Sequence, residues 1–145
     1  LVESNPISGL KNNVFSTKFI CAVAEESPFI KKFIFISSDK AVRPTNIMGA
    51  TKRFCELILQ SNQNQNTIFT MVRFGNVLGS SGSAIPTFQK QINSGGPITI
   101  THPEMTRYFM SIQEACQLIL QCGAFGKDGE IFLLEMGKSI KIVQC

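Results

Sequence analysis

Phe33-Ile34-Phe35-Ile36-Ser37-Ser38-Asp39-Lys40 passes from an apolar run of β-branched and aromatic residues into an adjacent acid and amine. The apolar half predicts a buried strand, Lys32 to Ser37, because its length and residue types suit a sheet interior. Met48-Gly49-Ala50-Thr51-Lys52 follows and opens a predicted helix. A strand, a short polar loop and a helix is the repeating step of an open α/β sheet. Such sheets hold their ligands at the carboxyl ends of the strands, where Asp39 and Lys40 lie.

The rest of the chain repeats that step. Upstream, Ile7, Leu10, Val14, Thr17 and Cys21 recur at three- and four-residue intervals, predicting a helix from Pro6 to Glu26. Asn5 is its expected N-cap, with Pro6 in the first helical position. Downstream, Thr45 or Asn46 caps a helix from Ile47 to Ser61, with Phe54, Leu57 and Ile58 expected on its apolar side. Thr67 to Arg73 reads as a second strand. Gly75 to Ser83 is a Gly/Ser-rich stretch, and Ala84 to Asn93 a helix that tolerates Pro86 in its first turn. Gly95-Gly96-Pro97 is a turn and Ile98 to Thr101 a short strand. Ser111 with Glu114 has the capping-box spacing for a helix to Cys122, and Glu130 to Glu135 closes the pattern as a strand.

Alternating helices and strands imply an α/β fold with a parallel sheet. Residues 1–74 read as the back half of a Rossmann-like, doubly wound sheet bearing the catalytic loop. Residues 75–145 read as a small α/β substrate-binding cap. Gly75, Gly79 and Gly82 do not fit G-x-G-x-x-G and come late in the chain, so a dinucleotide fingerprint is expected upstream of these residues. The chain opens on Leu1-Val2-Glu3 and reads as a C-terminal piece of a longer polypeptide, one that by itself would bind a dinucleotide poorly.

Composition narrows the function classes. The 145 residues suffice for one sizeable core, and 43% hydrophobic with 17% charged residues is globular rather than disordered. No apolar run approaches the roughly 20 residues of a spanning helix. The net charge of +4 is scattered, which argues against a nucleic-acid partner and suits a few cations on small-molecule phosphates. Five cysteines contain no Cys-x-x-Cys, and His102 is the single histidine, so no metal site is expected. The thiols read as reduced and buried in a cytoplasmic protein.

Asp39 and Lys40 can serve an elimination, in which a base takes a carbon-bound proton beside a carbonyl while an acid protonates the departing hydroxyl. An Asp-Lys dipeptide is equally a solvated loop ion pair. Met48 and Lys52 share one helical face, and a methionine there is equally a core residue. Arg107 suits a diphosphate or a surface ion pair with Glu104 or Glu114. Asn76 suits a ligand contact or a turn.

Three blocks, SSDKAVRPTNIMGATKRFCE, VRFGNVLGSSGSAIPTFQKQI and ITITHPEMTRYFMSIQEACQLIL, resemble in order and spacing the UDP-N-acetylglucosamine 4,6-dehydratases of capsule and O-antigen biosynthesis. These are extended short-chain dehydrogenase/reductases. The resemblance is to the branch whose Tyr-x-x-x-Lys reads Met-x-x-x-Lys, here Met48 and Lys52, and it runs from about Asn5 to Val143.

The resemblance implies a lyase that uses tightly bound NAD (or NADP) for an internal redox cycle and needs no metal. It implies that Ser38 is the active-site serine, Asp39 the acid for the leaving 6-hydroxyl and Lys40 the base at C5. Met48 stands at the tyrosine position, and Lys52 binds the nicotinamide ribose. Phe74, Gly75 and Val77 lie near the cofactor, and Asn76, Ser83 and Arg107 meet the UDP-sugar. The group that takes the C4 hydroxyl proton stays open between Asp39 and a water linked to Lys52. A homo-oligomer is implied, together with a cytoplasmic site whose only membrane link would be an upstream segment. Ser16 and Phe19 depart from the family's glycine and asparagine, and Gln144 from its usual aspartate. Two rival readings remain: a nucleotide-sugar epimerase or reductase of the same fold, and a non-catalytic nucleotide-sugar-binding remnant.

Overall fold

The computed structural model describes residues 2–62, 66–79, 84–100 and 102–144. They form two compact units, 1–74 with 119–134, and 75–118 with 135–145.

The first unit is built on a parallel sheet. Strands β1 (Lys32–Ile36), β2 (Ile68–Arg73) and β6 (Ile131–Leu133) lie side by side in the order β1-β2-β6. Ile34 pairs with Thr70 and Phe35 with Met71, while Met71 also pairs with Ile131. The middle strand is covered on both faces, as parallel sheets require: Phe69, Met71, Val72 and Thr70 are fully buried. The sequence expectation draws one boundary, after Phe74. The segment 119–134 lies in the first unit because β6 completes this sheet.

Helices α2 (Ser16–Glu26) and α3 (Ile47–Ser61) pack on one face, where Cys21 and Ala24 meet Cys55 and Leu59 over Phe35, Phe69 and Met71. The other face receives the end of α5 (Ile112–Phe125). There a Cβ on Gly123 would strike the Ile34 side chain, and one on Gly126 would strike Thr70. Helices on both faces of a parallel sheet make the fold doubly wound.

Three expectations for the helices of the first unit are corrected. The helix Pro6–Glu26 is interrupted: α1 (Pro6–Leu10) joins α2 through a π turn, Lys11–Phe15, in which the Ser16 amide reaches back five residues to the Lys11 carbonyl. No glycine or proline announces this turn. Asn5 stands at the N-cap and its carbonyl accepts from Gly9, but its side chain makes no capping bond. On α3 the buried positions are Gly49, Thr51, Cys55, Glu56 and Leu59, while Phe54 and Leu57 are exposed. The covered face is thus more polar than the apolar pattern implied.

In the second unit, β3 (Asn76–Val77) pairs in parallel with β5 (Phe109–Met110), and β4 (Thr106–Arg107) pairs antiparallel with β7 (Ile140–Lys141). Helix α4 (Ala84–Asn93) ends as expected: Gly95, at φ +69°, donates to Ile92 and Gly96 to Gln91. This is the left-handed glycine stop. The predicted strand at 98–101 is absent over 98–100, and Thr101 lies outside the described residues. Gln91 accepts from the Thr99 amide instead, so a helix side chain takes the place of a strand partner. Ser111 caps α5 through the Glu114 amide. Cys21, Cys55 and Cys122 are buried, whereas Cys116 is exposed, against expectation. Among the described residues no helix is long and apolar enough to cross a membrane.

Candidate active site

The acid–amine loop leaves the sheet without losing register. Past the end of β1, the Ser37 amide donates to Val72 and the Asp39 amide to Phe74, at 2.8 and 3.1 Å. Phe74 therefore meets the loop through its carbonyl. Residues Asp39–Ala41 then turn into one 3-10 coil capped by Ser38, whose Oγ accepts from the Lys40 amide at 3.2 Å. The same Oγ donates to Asp39 Oδ1 at 3.0 Å, and Lys40 Nζ donates to that oxygen at 3.0 Å. Asp39 and Lys40 are 40% and 34% exposed, so the pair is open to a substrate rather than sealed in the core.

Helix α3 approaches this loop from its N-terminus. Asn46 is the cap, accepting from the Gly49 amide at 2.8 Å. The Glu3 carboxylate accepts from the Ile47 and Met48 amides at 3.1 and 3.0 Å. These two hydrogen bonds hold the Glu3 carboxyl below its usual range, Met48 contributing more than Ile47. Met48 is half-buried in the first turn. One turn on, Lys52 Nζ donates to the Ile36 carbonyl at 2.9 Å and lies 4.7 Å from the centre of the Phe35 ring. Burial pulls its pKa below that of an ordinary lysine, against the opposing influence of Cys55 and Glu56. The sheet thus presents Ser38, Asp39, Lys40, Met48 and Lys52 from one loop and one helix.

Behind the loop lies a cluster that sequence reading missed. Glu56 is fully buried; its Oε1 accepts from Ser37 Oγ at 2.6 Å and Arg73 Nε at 2.7 Å. Oε2 accepts from Arg73 at 2.5 Å and from Arg53 at 3.0 Å. Burial pushes the Glu56 carboxyl up, but the bonds from Arg73, Ser37 and Arg53 together outweigh it and leave the group lowered. The available signal was an acid flanked by Cys55 and Leu57, four residues after Lys52. Asn13, in the π turn, was also missed. Its Nδ2 donates to Thr51 Oγ1 at 2.8 Å, and its carbonyl accepts from Thr17 Oγ1 and Cys55 Sγ, tying the first helical segment to α3.

The predicted sugar-nucleotide residues fall in the second unit. Asn76 and Arg107 line one cavity of about 280 Å³ with Thr87, Phe88, Thr99 and Met105. The Asn76 amide donates to Tyr108. Arg107 Nη1 donates to the Thr106 carbonyl at 2.8 Å. Glu104 pairs with Lys141 rather than with Arg107. Gly75 and Val77 flank Asn76 at β3. Ser83 lies outside the described residues. Among the described residues no group of three His, Cys, Asp or Glu could hold a metal ion.

The sequence model of the family described as "Polysaccharide biosynthesis protein" matches residues 1–145. The chain is 56% identical to the capsular polysaccharide biosynthesis protein CapD of Staphylococcus aureus, covering 99% of this chain and 24% of that protein. It is 54% identical to the probable polysaccharide biosynthesis protein EpsC of Bacillus subtilis, with coverage of 99% and 24%. A UDP-glucose 4-epimerase of Rickettsia canadensis is 34% identical, with coverage of 90% and 39%. The chain thus spans about a quarter of the length of CapD and EpsC.

Among solved structures, Pen of Bacillus thuringiensis superposes with a TM-score of 0.90 at 38% identity, covering 97% of this chain and 44% of Pen. WbmF of Bordetella bronchiseptica, in complex with NAD+ and UDP, gives a TM-score of 0.83 at 18% identity over 99% and 50%. The dTDP-glucose 4,6-dehydratase DesIV of Streptomyces venezuelae, a double mutant with NAD and DAU bound, gives 0.84 at 17% identity over 93% and 48%. These last two likenesses concern the fold, which is Rossmann-like.

Proposed function

The chain belongs to the polysaccharide biosynthesis protein family, and from that membership we propose that the protein carrying it catalyses NAD-dependent 4,6-dehydration of a UDP-N-acetylhexosamine. The substrate in this reading is UDP-N-acetylglucosamine, and the product a 4-keto-6-deoxy sugar nucleotide for a surface polysaccharide. The observation that carries the reading is the half-exposed Asp39–Lys40 pair at the carboxyl end of β1, with Met48 and Lys52 on the helix beside it.

The chemistry of this pair suits elimination. A proton passed along the 3.0 Å bond from Lys40 Nζ to Asp39 Oδ1 converts the ion pair into a neutral amine and a carboxylic acid. Lys40 then takes the proton from C5, and Asp39 gives one to the hydroxyl leaving C6. The two residues end as the ion pair from which they began. Ser38 aims the carboxylate by donating to the same oxygen. Met48 transfers no proton, so the C4 hydroxyl proton goes to water held by Lys52, or to Asp39, in which case Lys40 loses its own proton to water instead.

The residues fit NAD. Lys52 is a cation held over an aromatic ring at the strand end, and its donors suit a ribose diol. Bound there, NAD supplies the hydride acceptor and donor. Phe74, Gly75 and Val77 are assigned to the cofactor side. Arg107 and Asn76 are assigned to the UDP-sugar, since their cavity combines a guanidinium and an amide with the apolar Phe88 and Met105. Asn76 and Arg107 replace the turn and surface-pair readings in this proposal. Pairing with a second copy is part of the proposal, supported by the exposed Phe15, Phe19, Phe54 and Leu57.

The epimerase reading draws on the Rickettsia relative. NMR of UDP-N-acetylglucosamine incubated with NAD+ and the full-length protein separates the two. A 4-keto-6-deoxy sugar that disappears in Lys40→Ala establishes elimination. A C4 epimer formed without loss of water establishes the rival.

A further inference from the structure

We infer that Glu56 is a positioning residue for the Asp39–Lys40 loop, acting through the hydroxyl of Ser37; the inference rests on the proposed elimination. Glu56 reads at first as a structural ion pair with Arg73. Yet a buried ion pair is seldom the most stabilising filling of a core, and apolar residues of similar volume often serve as well. What an apolar residue could not do is accept the Ser37 hydroxyl at 2.6 Å.

That bond has a particular place. Ser37 is buried between the last residue of β1 and Ser38, which caps the Asp39–Ala41 turn. Its amide is held by Val72, and the Asp39 amide by Phe74. These two bonds tie the backbone to β2 and to Phe74 just past it, and Lys52 reaches from α3 only as far as the Ile36 carbonyl, so the loop itself is left without a side-chain anchor to α3. Glu56 supplies that anchor. It lies one turn beyond Lys52 on the same helix, so Ser37 and Lys52 are referred to one rigid element. The carboxylate is itself immobilised by Arg73, which engages both of its oxygens, while Arg53 adds a single bond to Oε2 from a more exposed position. A bidentate guanidinium fixes the plane of a carboxylate, and with it the direction from which Ser37 is held. The acid and the base are thereby kept at one position relative to Lys52.

Ser37→Ala in the full-length protein tests this, because it removes one donor and leaves both arginines on Glu56. Amide exchange followed by mass spectrometry should accelerate about tenfold in the 37–42 segment and stay unchanged in α3 and β2. The kcat for 4-keto-6-deoxy sugar formation should fall about tenfold while KM stays within about twofold, the mark of lost positioning rather than lost binding. Arg53→Ala, which removes a partner of Glu56 on the side away from Ser37's hydroxyl, should leave exchange at 37–42 as in the unaltered protein. Unchanged exchange in Ser37→Ala overturns the inference, and so does equal acceleration in Arg53→Ala. If the unaltered protein forms no 4-keto-6-deoxy sugar, the elimination reading fails, and the exchange comparison still decides whether Glu56 positions the loop.

Discussion

The backbone carbonyl of Lys40 occupies the space where residue 49 would carry a side chain: a Cβ built on Gly49 would overlap it and crowd Asn46 Oδ1 at 3.1 Å. Helix α3 can therefore begin this close to the Asp39–Lys40 loop only with a glycine in its first turn. The glycine of Met48-Gly49 is a requirement of the site's geometry and not only a helix propensity defect, which by itself would cost about 0.5–1 kcal/mol.

Gly49→Ala should accordingly move the loop instead of stabilising the helix. The expected loss of stability is about 1–3 kcal/mol, as for overpacked sites. Turnover of the full-length protein should fall further than the lost stability accounts for. Urea unfolding and initial-rate kinetics on the same preparation check this. A more stable, equally active variant would show that Lys40 does not need its present place.

Glu3 caps α3 across the sequence, and its hydrogen bonds lower its pKa. A carboxyl lowered on folding stabilises the fold at pH values above its unfolded pKa, near 4.5. That contribution fades as pH falls through the lower, folded value. The urea midpoints of the unaltered protein and Glu3→Gln should therefore differ at neutral pH and converge in acid. A constant gap across the titration would mean that Glu3 acts by packing and not by charge.

Lys52→Met keeps the apolar stem over Phe35 but removes the ammonium that reaches Ile36. In the proposed reading NAD affinity falls at least about tenfold, roughly the worth of one charge-assisted hydrogen bond. Far-UV dichroism should be unaltered. Fluorescence titration with NADH measures the affinity, and an unchanged Kd would remove Lys52 from the cofactor site.

Among the described cysteines only Cys116 is exposed, while Cys21, Cys55 and Cys122 are buried. Burial pushes the Cys21 thiol up to about 11, with Glu25 and Cys55 adding to it. An alkylating reagent at pH 7.5 should therefore modify Cys116 within minutes and reach Cys21 only after denaturation. Peptide mapping reads the order. Early labelling of Cys21 would show that α2 opens readily.

Much of the fold was legible because its signals are local. The bounds of α3 and α4 follow from periodicity and capping, and Asn46 and Ser111 cap where their residue types suggest. The parallel sheet follows from the alternation of elements. The short strand expected near Ile98 is absent over 98–100: Ile98-Thr99-Ile100 alternates as a strand does, but the segment is largely exposed and the Thr99 amide bonds the Gln91 side chain instead of a neighbouring strand. The candidate site was legible as residue types in order: the Asp39–Lys40 dipeptide, and Met48 and Lys52 at helical spacing.

What the sequence by itself determined, then, are those features written within a turn or two of chain, where backbone propensity, capping and apolar period act. Only the tertiary structure decided which face of α3 is covered, because Phe54 and Leu57 are as apolar as the residues that are buried. It alone joined Ser37 to Glu56 and Arg73, 19 and 17 residues from Glu56, and set Glu3 on the amide of Met48, 45 residues away. Those contacts form when the sheet and its helices close together. Partners for buried charges and helix ends are chosen by proximity in space, on which local spacing carries no information.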